Sequence, residues 1–202
     1  MYELLILGFM TRMPFHGYLI TKIINDMIGP FAKFSNGRLY PLLGKLEASG
    51  FIEENTPDFH PHNDRRQRTF ALTDAGRARF HEVMMDTTSN PGDYRTIFWF
   101  KVLFLSDLRP DERIFLIDHY HNYCQAHIFH LSHEQEDLIR QNTRFHWLTD
   151  EQFEHTSAVF QDFRNTWEIE VEAARRLRGS EVERISQSEF TMNIPAPKDA
   201  HQ

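Results

Sequence analysis

Residues 37–52 read GRLYPLLGKLEASGFI, and no other stretch constrains the fold as tightly. Leu39, Leu42, Leu43 and Leu46 recur at i, i+3, i+4 and i+7, the stripe of a helix with one buried face. Gly50 stands where a left-handed cap would end that helix, and Phe51-Ile52 opens an alternating run at once. The helix must therefore pass into a strand with almost no loop between them. Ser35 or Asn36 is placed to cap its start. Pro41 has no N–H to donate and is expected in the first turn or at a bend.

The flanking sequence fits around this corner. Residues 2–10 (YELLILGFM) are apolar and helix-compatible, and residues 15–28 carry Tyr18, Leu19, Ile23 and Met27 at helical spacing before Gly29 and Pro30 stop them. Downstream, FIEEN (51–55) and RTFAL (68–72) are short alternating runs joined by TPDFHPHNDRRQ, a hairpin with a long, partly basic tip. Thr73 is placed to cap a further helix. Three helices followed by a β-hairpin wing is the winged helix-turn-helix pattern, whose third helix lies in the DNA major groove. The fold class expected is mainly α, with this domain over residues 1–85.

The DNA-binding candidates are Lys22, Ser35, Asn36, Arg38, Tyr40 and Lys45, with Arg65, Arg66 and Arg68 on the wing. Asparagine pairs with adenine and arginine with guanine through two hydrogen bonds each, and a helix N-terminus favours phosphate. Tyr18 is expected to pack between helices. The net charge of −7 opposes nucleic-acid binding at first sight. Residues 1–80, however, hold ten Lys/Arg against eight Asp/Glu, net +2, which leaves −9 for the rest. A mildly basic head on an acidic body suits a chain with DNA at one end.

Other classes find little support. The single cysteine, Cys124, excludes an internal disulfide framework and suits a reducing compartment. Neither a signal peptide nor a membrane span is apparent, so a cytoplasmic protein is expected. Gly-rich phosphate loops, HExxH, GxSxG and paired catalytic carboxylates are missing from the sequence, so the chain is not expected to be an enzyme, and no cofactor is implied.

Residues 86–96 (DTTSNPGDYRT) read as a linker, and residues 97–178 as an all-α dimerisation and effector domain. Pro110 with Asp111 and Glu112 announces a long helix. Ile117, His121, Cys124, Ile128, Leu131, Gln135, Leu138, Asn142 and Phe145 follow it at steps of three and four. Thr149 and Gln152 form a capping box for a last helix. Its stripe Phe160, Phe163, Trp167 and Val171 would be an exposed apolar patch unless a second subunit covered it, so a homodimer is expected. The aromatic residues Phe98, Trp99, Tyr120 and Tyr123 are the candidates for binding a small aromatic effector, with core packing as the competing fate. His121, Cys124 and His127 step by three along one helix, but a closed site needs four ligands and no metal site is expected. Residues 179–202 lose periodicity and read as a disordered tail.

HGYLI (16–20), GRLYPLLGKLEASGFI (37–52) and RTFALTDAGR (68–77) together resemble the PadR family of transcriptional regulators, and YRTIFWFKVLFLSDLRPDER (94–113) resembles the start of the C-terminal domain in its longer subgroup. The resemblance implies a homodimeric repressor on a pseudo-palindromic operator, released by a small and often aromatic molecule. Two positions depart from the family pattern. Gly44 stands where a bulkier, often basic residue is usual, and Phe70 where tyrosine is common. Two rival readings remain. One is a ligand-independent regulator or activator controlled by abundance or a protein partner. The other is an interaction or small-molecule-sequestering module without DNA binding, for which Gly44 and the overall acidity speak.

Overall fold

A computed structural model describes residues 1–29, 32–55 and 68–192. The chain divides into two units, Met1–Leu108 and Arg109–Gln202.

The first unit is built on α1 (Tyr2–Met10). Its residues Leu4, Leu5, Ile6 and Leu7 are all 0% exposed. Four consecutive apolar side chains, spaced about 100° apart around a helix, cannot share one face. Such a helix has to be enclosed on nearly every side. Phe104 presses onto Gly8, where an added Cβ would lie 2.6 Å from its ring, and meets Phe9 and Phe80 edge-on at 5.4 and 5.8 Å. At the other end of α1, Tyr2 stacks on Phe34 at 4.4 Å.

Around α1 lie β1 (Phe15–His16), α2 (Gly17–Ile28), α3 (Asn36–Ala48), β2 (Ile52–Glu54), β3 (Thr69–Leu72), α4 (Asp74–Met85) and α5 (Tyr94–Val102). The strands form an antiparallel sheet in the order β1-β3-β2. Phe15 stands opposite Phe70 and Ile52 opposite Leu72. The expected two-stranded hairpin thus gains a third strand, a two-residue segment too short to show alternation. Thr73 caps α4 as expected: its Oγ1 accepts from the Gly76 N–H at 3.0 Å and donates to the Gly50 carbonyl at 2.6 Å. This ties α4 to the corner between α3 and β2.

Residues 86–96, expected as a linker, instead belong to the first unit. Asp86 folds a turn by accepting from the Thr88 and Ser89 N–H groups at 2.9 and 3.0 Å, a 3-10 turn covers Pro91–Asp93, and α5 begins at Tyr94. Tyr94 and Phe98 are 2% and 0% exposed. Burial of the aromatic run outweighs its polar, Pro/Gly-containing lead-in, and the division falls after Leu108. Lys101 is buried here too, donating to the Asp86 carbonyl and lying 5.9 Å from the Tyr94 ring. Burial lowers its pKa from 10.5 to about 8, against a smaller raising effect from the Asp86 charge.

The second unit consists of α6 (Pro110–Phe145) and α7 (Asp150–Met192). Glu112 reaches back to the Arg109 N–H at 3.1 Å, and Thr149 and Gln152 cap α7 reciprocally at 3.2 and 3.0 Å, as the sequence led us to expect. Between the helices His146 adopts a left-handed conformation (φ 49°), and Asn142 accepts from the Leu148 N–H at 3.0 Å. Of the expected α6 seam, Ile117, Cys124 and Leu138 are buried whereas Phe145 is exposed.

The tail expected over 179–202 is corrected in its first part, because α7 runs on to Met192. Polar contacts rather than apolar period mark this extension: Arg178 pairs with Asp118 at 2.7 Å, and buried Glu181 pairs with Arg184 and, at 3.6 Å, with Arg113. Residues 193–202 lie outside the described residues. Among the described helices, none is long and apolar enough to cross a membrane.

Two measurements probe this packing. An alanine Cβ at position 76 would stand 1.9 Å from the Phe51 carbonyl oxygen, whereas at position 44 it meets nothing within 4 Å. Gly76→Ala is expected to cost about 3 kcal/mol or more in urea unfolding, and Gly44→Ala to gain up to about 1 kcal/mol from helix propensity. For Lys101, the unfolded chain binds more protons than the folded one between about pH 8 and 10.5. Stability attributable to it therefore rises as pH climbs through that window. Lys101→Met should flatten that rise in thermal melts.

Candidate nucleic-acid interface

The α2–α3 corner begins with an asparagine that the sequence did not single out. Asn25 on α2 accepts from the Phe34 N–H at 2.7 Å, and donates to the Phe34 carbonyl at 2.9 Å and the Thr21 carbonyl at 2.8 Å. Phe34 is itself 1% exposed. This side chain thus fixes the chain just before α3 begins. The only sequence signal for it was its place in the last turns of a helix ahead of Gly29-Pro30.

Ser35 takes the N-cap position of α3 with extended backbone (φ −98°, ψ 159°), but its hydroxyl makes no capping hydrogen bond. The carbonyl of Ser35 instead accepts from the Arg38 and Leu39 N–H groups at 2.9 and 3.0 Å. Asn36 is held by the Thr21 hydroxyl, which lies 2.9 Å from its Oδ1. Thr21 is the second residue the sequence reading missed.

Burial then sorts the face. Leu39, Leu43 and Leu46 turn inward at 0–3% exposure, while Ser35, Asn36, Gly37, Arg38, Tyr40, Gly44 and Lys45 are exposed. Tyr40 leans toward α2, its hydroxyl 3.3 Å from where a Cβ of Gly17 would stand. Pro41 sits inside the helix rather than at its start. It removes the donor for the carbonyl of Gly37, an exposed residue that water can serve instead. On α2, Tyr18 and Lys22 are exposed, and the first is 66% so. The expectation that Tyr18 packs between helices is corrected: its ring stands outward beside His16, at 6.4 Å. Tyr18, Lys22, Asn36, Arg38, Tyr40 and Lys45 together give the α2–α3 pair an aromatic and cationic outer surface.

The wing residues fare differently. Arg65 and Arg66 lie outside the described residues. Arg68 is exposed, but its Nε donates to Glu54 at 2.7 Å and its Nη2 to Glu47 at 2.9 Å. The hydrogen bond to Glu54, and after it that to Glu47, raises the pKa of an already strong base. Phe70 is 1% exposed and lies 4.9 Å beneath the Arg68 guanidinium.

Residues 6–82 match the model of the transcriptional regulator PadR-like family, the span that carries this corner and its sheet. Over that span the chain carries a PadR-like domain. It is accordingly a transcriptional regulator and not an enzyme. The negative transcriptional regulator PadR of Bacillus subtilis is 28% identical over 134 residues, 66% of this chain and 72% of that protein. Crystal structures of Bacillus subtilis PadR with operator DNA (22% identity, TM-score 0.39, 89% of this chain and 96% of that one) are similar to it. So is the same protein with p-coumaric acid (21% identity, TM-score 0.36, 89% and 94%).

In this PadR-like chain the four effector candidates divide between the units. Phe98 is fully buried in the first, packed edge-on against Trp99 at 5.4 Å. Tyr120, in the second, is also fully buried, and its hydroxyl donates to the buried Glu170 at 2.6 Å. Burial and that hydrogen bond push the phenol's pKa upward. Only Trp99 and Tyr123 retain partial exposure. Of the dimerisation candidates, Val171 is buried, Phe160 and Trp167 are part-buried and Phe163 is 57% exposed. The Trp167 ring lies flat on His127 at 4.0 Å. Among the described residues no three His, Cys, Asp or Glu side chains could hold a metal ion; Cys124 is buried.

Asn25→Ala removes three hydrogen bonds and strands both polar groups of Phe34. A loss of about 2–3 kcal/mol in urea unfolding is expected, with Asn25→Asp intermediate because a carboxylate keeps the acceptor and loses the donor.

Proposed function

We propose that this regulator is a homodimeric repressor that reads a pseudo-palindromic operator through α3. The observation that carries the reading is the sorting of that helix. Its leucines anchor it inward, while Asn36, Arg38, Tyr40 and Lys45 stand exposed, as do Tyr18 and Lys22 on α2. In this reading Arg38 and Asn36 address base edges. Lys22, Lys45 and the hydroxyls of Tyr18, Tyr40 and Ser35 address phosphate. Arg65 and Arg66 would add contacts from the wing.

Repression is supported by the relative named a negative transcriptional regulator. A homodimer is supported by the large apolar side chains that the second unit leaves exposed, among them Phe129 at 77%, Phe163 at 57% and Ile169 at 67%, surface that a second subunit would cover. Two identical heads on a two-fold axis match half-sites one helical turn, about 34 Å, apart. Release by a small aromatic effector rests on Trp99 and Tyr123, the two candidates that keep exposed surface. An effector acts only by binding the DNA-competent and released states unequally. The cytoplasm is the compartment this reading requires.

The test is fluorescence anisotropy on a duplex selected by the chain from a randomised library, against a scrambled duplex, over a salt series. Affinity should fall with salt at a slope of about −0.9 per phosphate contacted. Arg38→Ala should cost about 1–3 kcal/mol on the selected duplex and far less on the scrambled one. Lys45→Ala should weaken both alike. Equal losses for Arg38→Ala would remove that residue from base reading. A chain that sediments as a monomer and ignores DNA at low salt would overturn the whole reading.

A further inference from the structure

Arg68 was expected to touch DNA, yet its surroundings argue for another role. It stands at the root of the wing, immediately before β3, where Glu54 pairs with Phe70 and the Asn55 N–H reaches the Thr69 carbonyl at 2.7 Å. Its Nε donates to Glu54 Oε2 on β2 at 2.7 Å. Its Nη2 donates to both carboxylate oxygens of Glu47 in the last turn of α3, at 2.9 and 3.2 Å. The guanidinium also covers the buried Phe70 ring at 4.9 Å. One side chain thus joins three elements. The guanidinium donors are already engaged by two carboxylates. A phosphate would have to displace two carboxylates already in charge-assisted hydrogen bonds.

We infer that Arg68 is a positioning residue that clamps the root of the wing to the C-terminal turn of α3, so that helix and wing meet a duplex at one fixed relative setting. This rests on the DNA-reading role proposed above. The clamp is solvent-exposed, and ion pairs of that kind contribute little to stability. Its effect is on orientation. Planarity matters as well as charge, since a rigid fork holds two carboxylates at fixed angles, which the rotatable donors of an ammonium do not.

The experiment compares the full chain with Arg68→Ala, Arg68→Lys and the Glu47→Ala/Glu54→Ala double variant. Hydrogen exchange at the Asn55 amide is read without DNA, and affinity for selected and scrambled duplexes is read across a salt series. The clamp predicts that all three melt with the native chain while Asn55 exchanges several-fold faster. It also predicts that preference for the selected duplex drops about tenfold, the size of one mismatched base pair, with the salt slope unchanged for the Arg68 variants. The double variant is the sharpest case, because shedding two negative charges should by charge alone strengthen binding everywhere. A phosphate-contact role would instead leave Arg68→Lys near native and lower the slope of Arg68→Ala by about 0.9; that result overturns the clamp. So does an equal gain on both duplexes from removing the carboxylates. If the native chain binds no DNA, the operator-reading role fails on its own, and Asn55 exchange still decides whether the clamp exists: exchange unchanged in all three variants refutes it.

Discussion

The first unit depends on enclosing α1. Leu4, Leu5, Ile6 and Leu7 reach no solvent at all, and a helix apolar around most of its circumference has no stable position except a central one. Everything packed on it is thereby given an inner and an outer side. Phe104 fills the space left by Gly8, Phe34 closes the far end against Tyr2, and Asn25 converts the position of Phe34 into the starting point of α3. The proposed reading face is the outer side that remains. No part of it needs to contribute to the core, so its chemistry is free to be polar, aromatic and cationic.

Much of this was legible in the sequence because it is written at the two periods that burial imposes. The leucine stripe of α3, the Gly50 stop, the alternating strands and the Thr73 cap each carry a local physical signature, and together they named a winged helix before any coordinates. The Thr149 and Gln152 box was equally plain. What escaped was non-local or too short to have a period. The strand Phe15–His16 has two residues. The roles of Thr21 and Asn25 exist only once α2 and α3 are side by side.

The larger misreadings share another cause. Residues 86–96 look like a linker because Ser, Asn, Pro and Gly crowd there, but the aromatic run that follows buries itself with the first unit and carries them along. Composition describes a segment and says nothing of what its neighbour will do. Likewise α7 around residues 178–181 is held by Arg178, Glu181 and Arg113 through pairs between distant positions, which no hydrophobic period records. Among the site candidates, α3 could be sorted in advance by its stripe. Arg68 could not, because its two carboxylates come from an earlier helix and an earlier strand.

The division of α3 into a leucine side and an exposed side has an evolutionary corollary. Substitutions at exposed positions away from caps and networks usually change stability by less than about 0.5 kcal/mol. Arg38, Tyr40 and Lys45 are positions of that kind. A lineage carrying this scaffold can therefore rewrite the outer face of this helix one residue at a time, without crossing an unfolded intermediate. Asn36 is the exception, since its partner Thr21 would have to change with it, and that coupled pair is where such drift should be slowest.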